Sequence, residues 1–126
     1  MAVRARAAAG PSDSLIVTKA ALRAADVLQI KDKQLAKIVG VSPASVSRMR
    51  SGASPIDTGH KPFELAVLFV RLYRSLDAIV GGDDVVARAW IANHNTALDG
   101  VPIDLIQTVA GLIDVIQYLD ARRAVI

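Results

Sequence analysis

Hydrophobic residues recur along most of the chain at intervals of three and four, the spacing that puts them on one face of an α-helix. The first such stretch runs from Leu15 to about Gln29 and includes Leu22 and Leu28. No segment alternates apolar and polar residues between turn signals, and no internal repeat period is present. The pattern predicts an all-α protein.

The second half of the chain contains three further helical stretches. One begins after Pro62 and runs from Phe63 to Val80, and its first half is apolar on nearly all sides, which favours either central burial or self-association. Asp83 is expected to cap the next helix, because its carboxylate can accept from free N–H groups. The last stretch begins at Pro102 and carries a continuous apolar stripe made of Leu105, Val109, Leu112, Ile116 and Leu119. Gly111 within it marks a bend or a close contact.

The segment from Asp32 to Gly52 predicts two short helices joined by a tight turn. Asp32 can cap the first helix, and Gly40 supplies the positive φ that ends it. Ser42 then caps the second helix, with Pro43 at its first position. This is the helix-turn-helix arrangement found in many DNA-binding proteins.

The second short helix has an inward apolar face and an outward polar face. Val46 and Met49 face inward, and Ala36 is small where the two helices cross. Short polar and basic groups remain outward, where they suit base edges and phosphates. The residues predicted to contact DNA are Lys33, Ser42, Ala44, Ser45, Ser47, Arg48 and Arg50. An Ala-x-x-x-Gly turn also occurs in small bundles that never bind DNA, and that alternative remains open.

The overall composition excludes several classes of protein. The chain has 126 residues, of which 52% are hydrophobic, so most of it is expected to fold around a core. It has no cysteine, and His60 and His94 lie far apart in sequence, so no metal site or cofactor is expected. The longest apolar run, residues 65–70, is far shorter than the roughly 20 residues of a membrane span. Because no export signal is recognisable, we expect a soluble, cytoplasmic protein without membrane contact.

Charge divides the chain into a basic and an acidic half. Residues 1–62 hold ten basic and four acidic groups, a net charge of +6, whereas residues 63–126 hold five and eight, a net charge of −3. The basic half suits a polyanion such as DNA. We therefore expect a flexible basic arm over 1–14, a helix-turn-helix region over 15–62 and a helical dimerisation and partner-binding region over 63–126. The apolar run from Leu65 predicts a homodimer.

The acidic half resembles a known family. The residues on which the resemblance rests are Trp90, Asn95, Leu98, Gly100, Pro102, Leu105, Gly111 and Val115, followed by the closing run 118–123. This string resembles the toxin-binding domain of the Xre/MbcA/ParS antitoxins, whose partners are RES-domain toxins. Together with the helix-turn-helix, the resemblance covers nearly the whole chain after residue 14. It implies an antitoxin that neutralises a NAD⁺-degrading toxin by covering its active site and represses its own operon.

The resemblance implies which positions of this chain bind the toxin, and each of these positions also has a purely structural interpretation. The residues assigned to toxin binding are Trp90, Asn95, Gly100, Pro102, Tyr118, Arg122, Arg123 and Ile126. The final helix and its tail would cover the toxin's NAD⁺ pocket. Alternatively, Trp90 packs in the core, Asn95 and Pro102 only build a corner, and the tail folds back on its own helices. A stand-alone Xre-type transcription regulator is the competing function, and an enzyme is disfavoured because no nucleophile–base pair or phosphate loop is present.

Overall fold

The helical spacing of the sequence is realised as seven helices within the described part of the chain. The computed structural model describes residues 11–125. Its helices are α1 (Pro11–Val27), α2 (Asp32–Val39), α3 (Pro43–Ser51), α4 (Lys61–Ile79), α5 (Asp84–Ala92), α6 (Pro102–Leu105) and α7 (Val109–Val125). Over these residues there is no strand, only an isolated bridge between Asn95 and Gly100. The predicted all-α fold is confirmed.

Helix α4 is the central element of the fold. It packs against α1 and α2 of the N-terminal half and against α7 of the C-terminal half. Phe69, Leu72 and Leu76 on α4 are completely buried, and each such side chain stabilises the fold by roughly 1.5–3 kcal/mol. Most of the apolar run 65–70 is therefore packed in the core, although Val67 remains 42% exposed.

The two halves of the molecule share one hydrophobic core. Its buried members extend from Ala21 on α1 to Leu119 on α7. The predicted limit between residues 62 and 63 falls at the start of α4, whose side chains contribute to both halves. The division into 15–62 and 63–126 stays a prediction about function, because the core itself is continuous across it.

Helix α1 begins earlier than the sequence predicted. It starts at Pro11 instead of Leu15, so residues 11–14 of the predicted arm are helical. The reason is a tertiary contact: the buried Ser14 hydroxyl donates to the carbonyl of Ile56, and Thr18 Oγ1 accepts from the N–H of Ile56 at 2.9 Å. The remainder of the predicted arm, residues 1–10, lies outside the described residues. The helix ends at Val27, two residues before the predicted Gln29, which adopts a positive φ of 57°.

The last helical region is broken in two, and the predicted continuous stripe is wrong. The chain leaves helix α6 after Leu105 and re-enters a helix at Val109, which is 50% exposed. Thr108 Oγ1 accepts from the N–H of Gly111 at 3.1 Å, which satisfies a free donor in the first turn of α7. Buried Ile106 fills the core position between the two helices. A break in the helix changes the angular register, so Val109 no longer continues the stripe.

Gly111 lies where the chain approaches itself closely. A Cβ atom at this position would stand 1.8 Å from the carbonyl oxygen of Leu105, far inside van der Waals contact. Of the two alternatives left open by the sequence, the close contact is confirmed, since α7 continues through Gly111 without interruption.

Candidate functional site

The turn between α2 and α3 depends on a left-handed glycine. Gly40 has φ +74° and ψ +36°, and its N–H donates to the carbonyl of Ala36 at the end of α2. An added Cβ would lie 3.3 Å from Cδ1 of Leu65, so backbone conformation and the space left by α4 both favour glycine. The tight turn holds α2 and α3 in the helix-turn-helix arrangement that the sequence predicted.

Helix α3 begins at a serine cap and ends at a second glycine. Ser42 Oγ accepts from the N–H of Ser45 at 3.1 Å, and Pro43 occupies the first helical position. Gly52, at φ +80°, ends the helix. These features are as predicted and depend only on local sequence.

The start of α2 differs in one residue from the prediction. Lys31, not Asp32, is the residue that precedes the helix, and its N–H donates to Oε1 of Gln34 at 2.9 Å. Asp32 is the first helical residue, where its carboxylate is favourably placed relative to the helix dipole. Its oxygens are also engaged elsewhere, by Arg50.

The two faces of α3 divide as expected. Val46 and Met49 are buried against α2, where Ala36 leaves the room for close approach. The remaining predicted DNA contacts are on the surface. Exposed residues of the predicted set are Lys33, Ser42, Ala44, Ser47, Arg48 and Arg50, and Ser45 is half-buried. The structure therefore brings most of the predicted contact residues together on one short helix.

Arg50 is occupied by two carboxylates of its own chain. Its Nε donates to both oxygens of Asp32 at 2.9 and 3.1 Å, and its Nη2 donates to Oδ1 of Asp26 at 2.8 Å. The hydrogen bonds from Asp26 and Asp32 raise the pKa of Arg50 above its ordinary range, so the guanidinium stays charged. These ion pairs join α3 to the end of α1 and the start of α2. Sequence reasoning missed these pairs, because the acids lie 24 and 18 residues away and no local pattern relates them.

Arg48 has a different environment from Arg50. It is exposed, and its Nη2 donates to the Ser45 hydroxyl at 3.1 Å, a neutral partner on the same helix. Since a charged guanidinium prefers an anionic partner over a hydroxyl, Arg48 can exchange this contact for a phosphate or a base edge. On α3, Arg48 is therefore the better placed of the two arginines for DNA.

Asn95, Gly100 and Pro102 build a corner before α6. Asn95 and Gly100 exchange backbone hydrogen bonds, N–H to carbonyl, at 2.8 and 3.3 Å, and the Asn95 side-chain oxygen accepts from the N–H of Leu98 at 3.0 Å. A Cβ on Gly100 would lie 3.0 Å from the side chain of Leu105, and Pro102 is buried. These three predicted site residues hold the loop in shape. Their assignment to toxin binding stays a prediction.

Trp90, Tyr118 and Arg122 form a stack that links α5 to α7. The rings of Trp90 and Tyr118 lie 6.3 Å apart with an interplanar angle of 18°. The Arg122 guanidinium carbon is 5.7 Å from the Tyr118 ring centroid, and its Nη1 donates to the Tyr118 hydroxyl at 2.8 Å. Trp90 is half-buried and packs against the core. The stack fixes three predicted site residues in one place at the protein surface.

Arg123 belongs to a polar network between α4 and α7. Its Nη1 donates to the Ser75 hydroxyl at 3.2 Å, and Ser75 donates to Oδ1 of Asp120 at 2.9 Å. Arg71 completes the network through the other oxygen of Asp120. Burial opposes ionisation of Asp120, but hydrogen bonds from Ser75 and Arg71, with the charges of Arg71 and Arg123, lower its pKa below the usual value. Ser75, a completely buried hydroxyl, is the residue that sequence reasoning missed.

The end of the chain limits what is described of the predicted tail. Ile126, assigned to the toxin contact, lies outside the described residues. Both arginines that precede it are engaged within the chain, by Tyr118 and Ser75. Among residues 11–125, no group of histidine, aspartate or glutamate side chains could hold a metal ion. None of the described helices is long and apolar enough to cross a membrane.

Two family models match the chain over adjacent segments. The antitoxin Xre-like helix-turn-helix domain matches residues 5–71, which contain α1, α2, α3 and the first half of α4. The antitoxin Xre/MbcA/ParS C-terminal toxin-binding domain matches residues 75–124, which contain the end of α4 and the helices that follow. No curated protein matches the sequence. The two matches divide the chain within α4, whereas the charge pattern placed the division just before Phe63.

Proposed function

Because the chain belongs to the antitoxins that join an Xre-like helix-turn-helix to an Xre/MbcA/ParS toxin-binding domain, we propose that it neutralises a RES-domain toxin. In this proposal the C-terminal region covers the active site of a NAD⁺-degrading enzyme. The observation that carries the proposal is the pair of domains in one chain. The antitoxin itself supplies no chemistry, and inhibition follows from exclusion of the dinucleotide.

The second part of the proposal is repression of the antitoxin's own operon. It is supported by the capped helix α3, which exposes Arg48, Ser47 and Ala44 beside the basic surface of the N-terminal half. Short side chains allow a helix to enter the major groove, and an arginine can reach base edges or phosphates there. Both activities place the protein in the cytoplasm, where its promoter and NAD⁺ are found.

Co-expression with the protein encoded by the adjacent reading frame tests the first part. We expect the two proteins to co-purify, and we expect NAD⁺ loss in cells that produce the partner alone to be suppressed when this chain is present. The Arg48→Ala variant is the matched control, since a change on the DNA face should leave suppression intact. Continued NAD⁺ loss despite stable expression of the folded chain contradicts the proposal.

The competing function is a stand-alone Xre-type regulator whose acidic half only dimerises. Such a regulator would bind DNA through the same helix as the antitoxin, but it would have no toxin partner. A gel shift with the promoter of the chain's own operon should show a specific complex under both functions. Only the antitoxin should also bind the neighbouring gene product, so the co-purification experiment separates the two.

A further inference from the structure

Helix α7 is apolar on its outward face as well as its inward one. Val109 is 50% exposed and Ile113 is 40% exposed. The other exposed positions from residue 109 to residue 121 are Ala110, Asp114, Gln117 and Ala121. Asp114 is the one charged group among them. A helix face that borders water normally carries several charged residues, so this face has the composition of a surface that is covered by a partner.

Helix α5 repeats this composition. Val85 is 69% exposed and Val86 is 48% exposed, and Ala89 and Ala92 are exposed as well. Arg88 is half-buried, and its Nε donates to the carbonyl of Val27 at the end of α1 at 2.7 Å. The Trp90–Tyr118 stack makes α5 and α7 neighbours. Two adjacent helices of the C-terminal half thus leave apolar side chains in contact with water.

The outward face of α4 provides the contrast. Its exposed positions are Lys61, Glu64, Val67, Arg71, Arg74 and Ala78, so one valine and one alanine stand among four charged residues. This is the usual composition of a solvated helix. The outward faces of α5 and α7 are therefore more apolar than that of α4, although α1 also exposes Leu15 and Ile16.

We propose that the outward faces of α5 and α7, represented by Val85, Val86, Val109 and Ile113, form the surface that binds the toxin. The proposal rests on the proposed function and locates it on the protein. All four residues lie within 75–124, the segment matched by the toxin-binding domain. The tail is the competing candidate, because Arg122 and Arg123 contact neutral hydroxyls that an anionic group of the toxin could replace.

Charge favours the toxin over a second copy of this chain as the occupant. The exposed charges on these faces are acidic, Asp84 at the start of α5 and Asp114 on α7. A two-fold dimer would place each face against itself, so neither aspartate would meet an opposite charge. A partner with an apolar patch surrounded by basic groups satisfies both features. We therefore expect basic residues on the toxin around the contact.

Four glutamate variants test the assignment with controls matched for exposure. Ile113→Glu (40% exposed) is paired with Val67→Glu on α4 (42% exposed), and Val85→Glu (69%) is paired with Ile16→Glu on α1 (64%). Affinity for the purified product of the adjacent reading frame is measured by calorimetry, and circular dichroism checks that each variant is folded. We expect the α5 and α7 variants to bind at least about tenfold more weakly, and the two controls to stay within about twofold of the parent chain.

A charge reversal provides an independent variant that leaves the apolar side chains intact. Asp114→Lys should weaken binding further at low salt than at high salt, because it opposes the basic rim expected on the toxin. Unchanged affinity in both Ile113→Glu and Val85→Glu overturns the inference. So does a change in the monomer–dimer mass of these variants without a change in toxin affinity, since the surface would then be a self-association face.

The binding measurements distinguish a wrong surface assignment from a wrong function. If the parent chain does not bind the adjacent gene product at all, the antitoxin function is wrong and the surface assignment falls with it. If the parent chain binds but the control variants lose affinity and the α5 and α7 variants keep it, the function stands and the contact lies in the N-terminal half.

Discussion

At the scale of single residues, the two arginines of α3 have separate roles despite their identical chemistry. Arg50 is held between Asp26 and Asp32, whereas exposed Arg48 contacts only a hydroxyl. We predict that Arg48→Ala weakens DNA binding and reduces the slope of log affinity against log salt by about one, the signature of a lost phosphate contact. If Arg48 contacts a base instead, the slope is kept and specificity falls by about 1–3 kcal/mol at one position.

Arg50→Ala, on the same helix, is the matched comparison for Arg48→Ala. It should leave the salt slope unchanged and lower stability by no more than about 1 kcal/mol, because its ion pairs are partly exposed. Equal loss of slope in both variants would show that Arg50 leaves its carboxylates when DNA binds. Gel shifts at a series of salt concentrations, with thermal unfolding of the free proteins, measure both effects.

Gly111 gives a second prediction at the residue scale. Alanine would place a Cβ 1.8 Å from the Leu105 carbonyl oxygen, and relief requires the α6–α7 connection to move. We expect Gly111→Ala to destabilise the protein by about 2–3 kcal/mol, although alanine has the higher helix propensity. The reverse change at the neighbouring exposed position, Ala110→Gly, should cost only about 1 kcal/mol. Chemical unfolding compares them, and a stabilised Gly111→Ala protein would contradict the close contact.

At the scale of elements, α7 is attached to α4 by a charge network as well as by the core. Asp120 has a lowered pKa, so its contribution to stability is fully present above its usual pKa of 3.8 and is lost as the pH falls through the lower folded-state value. We predict that Asp120→Asn is less stable than the parent chain near neutral pH and that the difference disappears below pH 3.8. Unfolding midpoints measured between neutral and acidic pH test this.

The control for the network is a carboxylate on the same helix without these partners. Asp114→Asn, on the exposed outward face, should change the midpoint little at any pH. The contrary result is that the unfolding midpoints of Asp120→Asn and the parent chain differ by the same amount at acidic pH as at neutral pH. That result would mean that packing of the side chain, and not its charge, holds α7 in place.

At the scale of the whole molecule, the proposed repression calls for two copies of α3 on one DNA. We predict a homodimer, whose helix-turn-helix units meet half-sites about one helical turn, roughly 34–36 Å, apart. Sedimentation at micromolar concentration should give twice the mass of the 126-residue chain, and insertion of about five base pairs between the half-sites, half a helical turn, should abolish cooperative binding. A strict monomer, free and on DNA, would contradict this assembly.

Much of the N-terminal half was predictable because its signals are local. The positive φ of Gly40, the Ser42 cap and Pro43 at the first position of α3 each depend on a few adjacent residues. The cap at Asp83, whose carboxylate accepts from the N–H groups of Val85 and Val86 at 3.1 and 3.2 Å, is of the same kind. The sequence by itself therefore determined the all-α class, the helix-turn-helix and the family.

Tertiary structure decided what depends on residues distant in the sequence. The start of α1 is set by Ser14 against Ile56, and the role of Arg50 by two aspartates from other helices. The break before Val109 cannot be inferred from periodicity, because the same spacing suits one long helix or two short ones. Which apolar side chains stay exposed on α5 and α7 is likewise decided by the packing of α4, since a hydrophobic residue is buried only where another element covers it.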